Sequence, residues 1–189
     1  MDDDAGGVHD AGGVHYENPF VTPVDRRDPA RRLRGRLVSP VTVWTSGSVD
    51  APAALTMSSI LIADGDPPLV LGLLNDTTDL WASINRTGAF VVHLLEEQDQ
   101  VLSDEFAGLR PSPGGPFSTL EVEDSEWGPV LSQSKNRAFC KLRASETTGY
   151  QRSVSGEIER IELDELDSPA VYFRGRFRRL APDTRRPSS

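Results

Sequence analysis

Residues 54–74 read A-L-T-M-S-S-I-L-I-A-D-G-D-P-P-L-V-L-G-L-L, and residues 75–84 continue N-D-T-T-D-L-W-A-S-I. A hydroxyl-rich strand carrying Thr56, Ser58 and Ser59 runs to a corner at Pro67 and Pro68. An apolar strand follows, and a second hydroxyl pair, Thr77 and Thr78, stands where a helix begins. The first amides of a helix point outward unpaired, and the helix dipole favours negative charge there. Such a helix start suits a phosphate whose organic body lies along the preceding strands.

Working outward, 189 residues suffice for one domain with a substantial core. We expect a polar tail over 1–27, a domain over 28–180 and a second polar tail over 181–189. Twenty Lys and Arg against 29 Asp and Glu leave a formal charge of −9, which argues against nucleic acid or an anionic membrane as partner. Arginines crowd residues 26–36 and 174–186; they read as solvated faces or as a phosphate contact. The single cysteine, Cys140, excludes an internal disulfide framework and permits a reducing, cytoplasmic compartment. It reads as a packed strand residue rather than a nucleophile. No secretory signal or membrane-length apolar run is visible.

The motif D-A-G-G-V-H occurs twice, at 4–9 and 10–15. So glycine-rich a segment buries too little surface to offset its ordering entropy, so the tail is expected to be disordered. Its His9 and His15 make only a weak metal site, and none is assigned. Asp28, Pro29 and Ala30 form a good helix start, with Gly35 as the stop. The pattern then predicts a strand over 37–45, with Val41 and Val43 on one face and Thr42 and Trp44 on the other. Residues 46–52 read as a turn. Strands are expected over 54–62, 69–74, 89–95, 137–145, 154–163 and 170–177. Helices are expected over 79–86 and 99–109, the second with Val101, Leu102 and Phe106 at helical spacing, and a Pro/Gly loop over 110–117. About seven strands with few helices point to a mainly β, antiparallel barrel or sandwich.

The pieces S-P-V-T-V-W-T, A-L-T-M-S-S, D-G-D-P-P-L-V-L, G-A-F-V-V-H-L-L, D-E-F-A-G-L, W-G-P-V-L, A-F-C-K-L, S-G-E-I-E-R-I and V-Y-F-R-G-R-F-R-R-L follow one another between residues 37 and 180. In order and spacing they resemble the flavin reductase-like, FMN-binding split-barrel family. The resemblance implies a split β-barrel of Greek-key type with a few short helices. It also implies a homodimer whose flavin lies in a groove at the subunit interface.

By the same resemblance, Thr56, Met57, Ser58, Ser59 and Ile60 would wrap the flavin ring and ribityl chain. Thr77, Thr78 and Asp79 would meet its phosphate, and Phe106 would lie near the flavin. Each has a plainer reading: strand hydroxyls bonded to backbone, a helix cap, a core aromatic. The sequence also departs from the family. Many members carry a basic residue or two in the phosphate loop, where this chain has Asp76 and Asp79. Reductases of the family often read G-D-H where this chain reads Gly149, Tyr150, Gln151. Gln151, standing in the catalytic position, can hydrogen-bond but cannot donate a proton as an imidazolium does. Arg152 could attract a dinucleotide phosphate or simply be exposed. His93 stands where the family more usually has asparagine and reads as structural.

The function implied is an NAD(P)H:flavin oxidoreductase using FMN or FAD, with NADH or NADPH as hydride donor, serving a partner monooxygenase. The altered G-D-H position leaves open an alternative, a flavin-binding split-barrel protein without reductase activity. A third reading is a split barrel holding a different cofactor, such as a haem or a deazaflavin; for a haem the sequence offers no axial ligand beyond His93.

Overall fold

The structure, a computed structural model, describes residues 29–180. The expectations for both tails, including His9, His15 and the cap at Asp28, lie outside the described residues. The chain divides into two units at Arg34 and Gly35. The first contains helix α1 (Pro29–Arg34), six exposed residues that end where Gly35 was expected to stop them.

The second unit is built on a seven-stranded antiparallel sheet. Its strands, in chain order, are β2 (Thr42–Ser48), β3 (Ala51–Met57), β4 (Ile60–Ala63), β5 (Leu69–Leu74), β6 (Ala89–Leu94), β9 (Arg137–Thr148) and β10 (Gln151–Glu162). They are laid side by side as β3-β2-β6-β9-β10-β5-β4. The two edge strands are successive pieces of one chain, parted only by Ser58 and Ser59, and β3 also touches β5. The sheet therefore curls until its edges meet at that break. Thr42 Oγ1 donates to the Met57 carbonyl on one side of it, and the Leu73 N–H donates to the Ser59 carbonyl at 3.1 Å on the other. Closure of this kind leaves little free strand edge.

The barrel is filled, not hollow. Trp44 and Phe90 stack at 4.8 Å and 8° in its centre, among Met57, Val70, Leu74, Cys140, Val154 and Ile158. Helix α2 (Asp79–Thr87) adds Leu80 and Ile84 to the same cluster. Its ends are set locally. Thr78 Oγ1 accepts from the Trp81 N–H at 3.3 Å, and Gly88, at φ 72°, returns its N–H to the Ile84 carbonyl.

The opposite face of β2 feeds a second cluster. Val41, Val43 and Leu95 meet Leu102 and Phe106 of helix α3 (Gln100–Phe106), which follows a 3-10 turn at Glu97–Asp99. A small sheet of β1 (Ser39–Pro40), β11 (Val171–Phe173) and β12 (Arg176–Arg178) flanks it, and β7 (Val122–Glu123) pairs with β8 (Val130–Leu131). The two faces assigned to β2 thus go to two different clusters. No helix of the described residues is long and apolar enough to cross a membrane.

Several boundaries differ from the sequence reading. The strand expected over 54–62 is broken at Ser58 and Ser59, because that is where one barrel edge becomes the other. The turn expected over 46–52 shrinks to Val49 and Asp50, and Pro52 is accommodated on an edge strand. The strand expected over 170–177 is a hairpin, turned by Arg174 and Gly175 at φ 52° and 75°. Helix α3 starts and stops short of 99–109, and Val101 is 47% exposed rather than on its packed face.

Candidate functional site

Three segments converge at the barrel's closing corner. The Ser58–Ser59 break is held to β5 through the Leu73 N–H. On the other side of β5, Ser153 of β10 stands opposite Leu73 and Arg152 opposite Leu74. Leu74 leads directly into residues 75–78 and the start of α2. Ser58, Ser59, Thr77, Thr78, Gln151 and Arg152 are thereby brought to one corner by the register of three strands.

Their chemistry differs residue by residue. Ser58 and Ser59 are half-buried, and their hydroxyls make no hydrogen bond among the described residues. They are free donors and acceptors at the corner. Thr77 is tied back to Asn75 by both its N–H and its Oγ1, each at 3.0 Å to Oδ1. Thr78 caps α2 and donates its own proton to the Asn75 carbonyl at 2.8 Å. Asp79 is exposed in the first turn, where the helix dipole favours a carboxylate. The hydroxyl pair at 77–78 is thus spent on shaping the corner.

Four of the other sequence candidates point elsewhere. Thr56 Oγ1 donates to the Ser103 carbonyl of α3 at 2.7 Å. Met57 lies inside the barrel, and Ile60 packs against the same cluster. Phe106 belongs to the second cluster, edge-on to Phe117 at 5.0 Å, and is not part of the corner. Any contact from Thr56 or Met57 to a ligand would come from backbone.

Gln151 opens β10 opposite Thr148, across a two-residue turn with Gly149 at φ 60°. Glycine at the first central position is what such a hairpin turn requires. Its amide is half-buried and makes no hydrogen bond among the described residues. Arg152, next along, shares the inward row with Val154, Gly156 and Ile158. Its guanidinium lies over the Trp81 ring, 4.7 Å from the centroid, and its Nε is buried without a hydrogen-bond partner. Trp81 is the neighbour that sequence reasoning missed. The signal was present: it lies three residues past the Thr78 cap, on the first turn of a helix that must face the barrel end.

His93 and Cys140 lie apart from this corner. Thr45 Oγ1 donates to the Pro129 carbonyl at 2.5 Å and so accepts from His93 Nε2 at 3.3 Å. This makes Nε2 the protonated nitrogen and leaves the buried Nδ1 without a partner. Burial holds the His93 pKa down to about 3, aided by the charge of Arg137 and opposed by the Pro129 carbonyl. It is a neutral structural residue. Burial first, then Glu159, pushes the Cys140 thiol up to about 12, so it is no nucleophile.

The corner fits a flavin in its donor set. It offers free hydroxyls at the strand break, a free carboxamide at Gln151 and an arginine with an orphaned buried nitrogen. Comparison with known proteins bears on the family rather than on these residues. Residues 34–181 match the model of the flavin reductase like domain. The chain is 31% identical to the reductase component of 4-hydroxyphenylacetate 3-monooxygenase of Thermus thermophilus, covering 82% of this chain and 97% of the relative. It is also 31% identical to the NADH-dependent FMN reductase AsuE2 of Streptomyces nodosus subsp. asukaensis, over 82% of this chain and 85% of the relative. The Streptomyces globisporus C-1027 NADH:FAD oxidoreductase SgcE6 superposes with a TM-score of 0.75 at 24% identity, covering 87% of this chain and 98% of that one, a likeness of fold.

Proposed function

Since this chain belongs to the flavin reductase-like domain family, we propose that it is an NADH-dependent flavin reductase that supplies reduced flavin to a partner monooxygenase. What carries the reading is the span of the likeness: it takes in the whole barrel, including the strand break, the start of α2 and the start of β10. A bound flavin would supply the capacity to take up a hydride from a nicotinamide, chemistry that is the cofactor's own.

The chain's residues then supply position. Ser58 and Ser59 would hydrogen-bond the flavin from the strand break, with backbone of Thr56, Met57 and Ile60 beside them. The 75–79 corner, shaped by Thr77, Thr78 and Asp79, would face its phosphate end. The Gln151 carboxamide can donate to or accept from ring or nicotinamide groups without changing charge. Holding two reactants in register is itself a large part of rate, so no proton-donating imidazole is needed at that position. Phe106 would act only by backing the second cluster.

We also assign the domain to 28–180 and a homodimer to its working form. The outward face of β4, where Leu61 is 72% exposed, supports a partner subunit there. A reducing, cytoplasmic setting accords with the single buried cysteine. The test is an anaerobic absorbance titration of FMN-loaded protein with NADH, then NADPH. Bleaching of the flavin band by NADH is the expected result. A bound flavin that stays oxidised with both nucleotides, yet is reduced by dithionite, would move the assignment to a flavin-binding protein without reductase activity.

A further inference from the structure

The segment leading into α2, N-D-T-T-D-L-W at 75–81, contains two carboxylates and no cation. A phosphate set against it would meet Asp76 and Asp79, both exposed, and no local positive charge to balance its own. The hydroxyls of Thr77 and Thr78 are already bonded to Asn75. Compensation has to come from another strand.

Arg152 is placed to provide it. It stands opposite Leu74, the residue from which the acidic segment springs. Its guanidinium is laid over the Trp81 ring at the end of that segment. Among the described residues no carboxylate pairs with it. Its one hydrogen bond is a long one, Nη1 to Ser145 Oγ at 3.4 Å, and its Nε is buried and unpartnered. A half-buried cation without an anion is costly unless something else compensates it. Stacking on an indole fixes the plane of a guanidinium while leaving edge donors unused. A planar fork with free donors matches a phosphate, which it can grip through two hydrogen bonds at once.

We propose that Arg152 is the specificity-determining residue of this reductase for phosphorylated flavins, its guanidinium, set on Trp81, supplying the positive charge that residues 75–81 lack. The inference rests on the flavin reductase reading. It makes the charge that receives the phosphate a property of β10, one residue from Gln151, instead of the loop before α2.

Binding of FMN and of riboflavin, followed by quenching of flavin fluorescence without any nicotinamide, separates the possibilities. The two ligands share a ring and differ by the phosphate. The full chain is expected to bind FMN at least about tenfold more tightly than riboflavin, and to lose part of that preference between about 50 and about 300 mM NaCl. Arg152→Gln is expected to abolish the preference by weakening FMN alone. Arg152→Lys, which keeps the charge but not the fork, should fall between. Equal weakening of both flavins by Arg152→Gln, or a wild-type protein with no salt-sensitive preference for FMN, overturns the proposal. The wild-type measurement and Arg152→Lys serve if Arg152→Gln does not fold. A wild-type protein that binds neither flavin would overturn the reductase reading itself, and the specificity assignment with it.

Discussion

Trp44 and Phe90 stack 4.8 Å apart and within 8° of parallel, and two glycines make the space for them. A Cβ on Gly156 would stand 2.4 Å from Phe90 Cζ, and one on Gly72 would stand 2.6 Å from Trp44 Cη2. Neither glycine is needed for its backbone angle; both are needed for their missing side chain. The rings lie inside a closed barrel and have no open side to move into. Gly156→Ala and Gly72→Ala are each expected to cost about 1–3 kcal/mol, the usual range for overpacking. Urea unfolding would measure it. An alanine variant as stable as wild type at either position would show that the ring pair can shift.

His93 links the fold to pH. Its folded pKa is lowered to about 3 from an ordinary 6.5, by burial first and by Arg137 second. Between those values the unfolded chain binds a proton that the folded chain does not. The stability that neutral His93 contributes is therefore whole above pH 6.5 and is lost as pH falls toward 3, at up to about 1.4 kcal/mol per pH unit. Carboxylates add their own slope in this range, so the comparison that isolates the histidine is with His93→Asn. That variant keeps a polar amide beside Thr45 and is expected to lose stability less steeply between pH 6.5 and 4.5. Parallel curves for the two proteins would remove His93 from the account.

Much of this architecture could be read in the chain, and the misses share a physical cause. Alternation in 37–45 separated Val41 and Val43 from Trp44, and the structure sends them to different clusters. Thr77 and Thr78 marked the start of α2 because caps are local chemistry. The break at Ser58 and Ser59 was not legible, since a barrel seam depends on which distant strands become its edges. The same limit applied at the site. Thr56 looks like its neighbouring serines in sequence, but its hydroxyl is taken by Ser103, 47 residues away. Arg152 could be read as a phosphate contact or as an exposed residue; only the register opposite Leu74 sets it on Trp81.

Cys140 is expected to be silent. It is fully buried in the barrel cluster, and its thiol is pushed up to about 12. At pH 8 the native protein should leave Cys140 unmodified by a thiol reagent for hours, while protein in urea should react fully. Cys140→Ser should retain flavin reduction and lose stability by about 1–3 kcal/mol, because its hydroxyl would need a hydrogen bond in an apolar cluster. Rapid modification of the folded protein would mean that the barrel opens far more often than its packing implies.

Gln151 makes the last prediction, on the reaction itself. It opens β10 with a free carboxamide, and the one histidine among the described residues, His93, is buried away from the corner and neutral. A carboxamide does not titrate, so the rate of flavin reduction by NADH in single-turnover experiments should be flat between about pH 6 and 8. Gln151→Ala should slow that step severalfold, because the amide would orient the nicotinamide against the flavin. Gln151→His should restore the rate and introduce an inflection near pH 6.5, the ordinary range of imidazole. A flat profile for the histidine variant, or unaltered reduction by the alanine variant, would place Gln151 outside the reacting geometry. The group that orients the nicotinamide would then have to be sought elsewhere on the same turn, at Tyr150, which is presented fully to solvent.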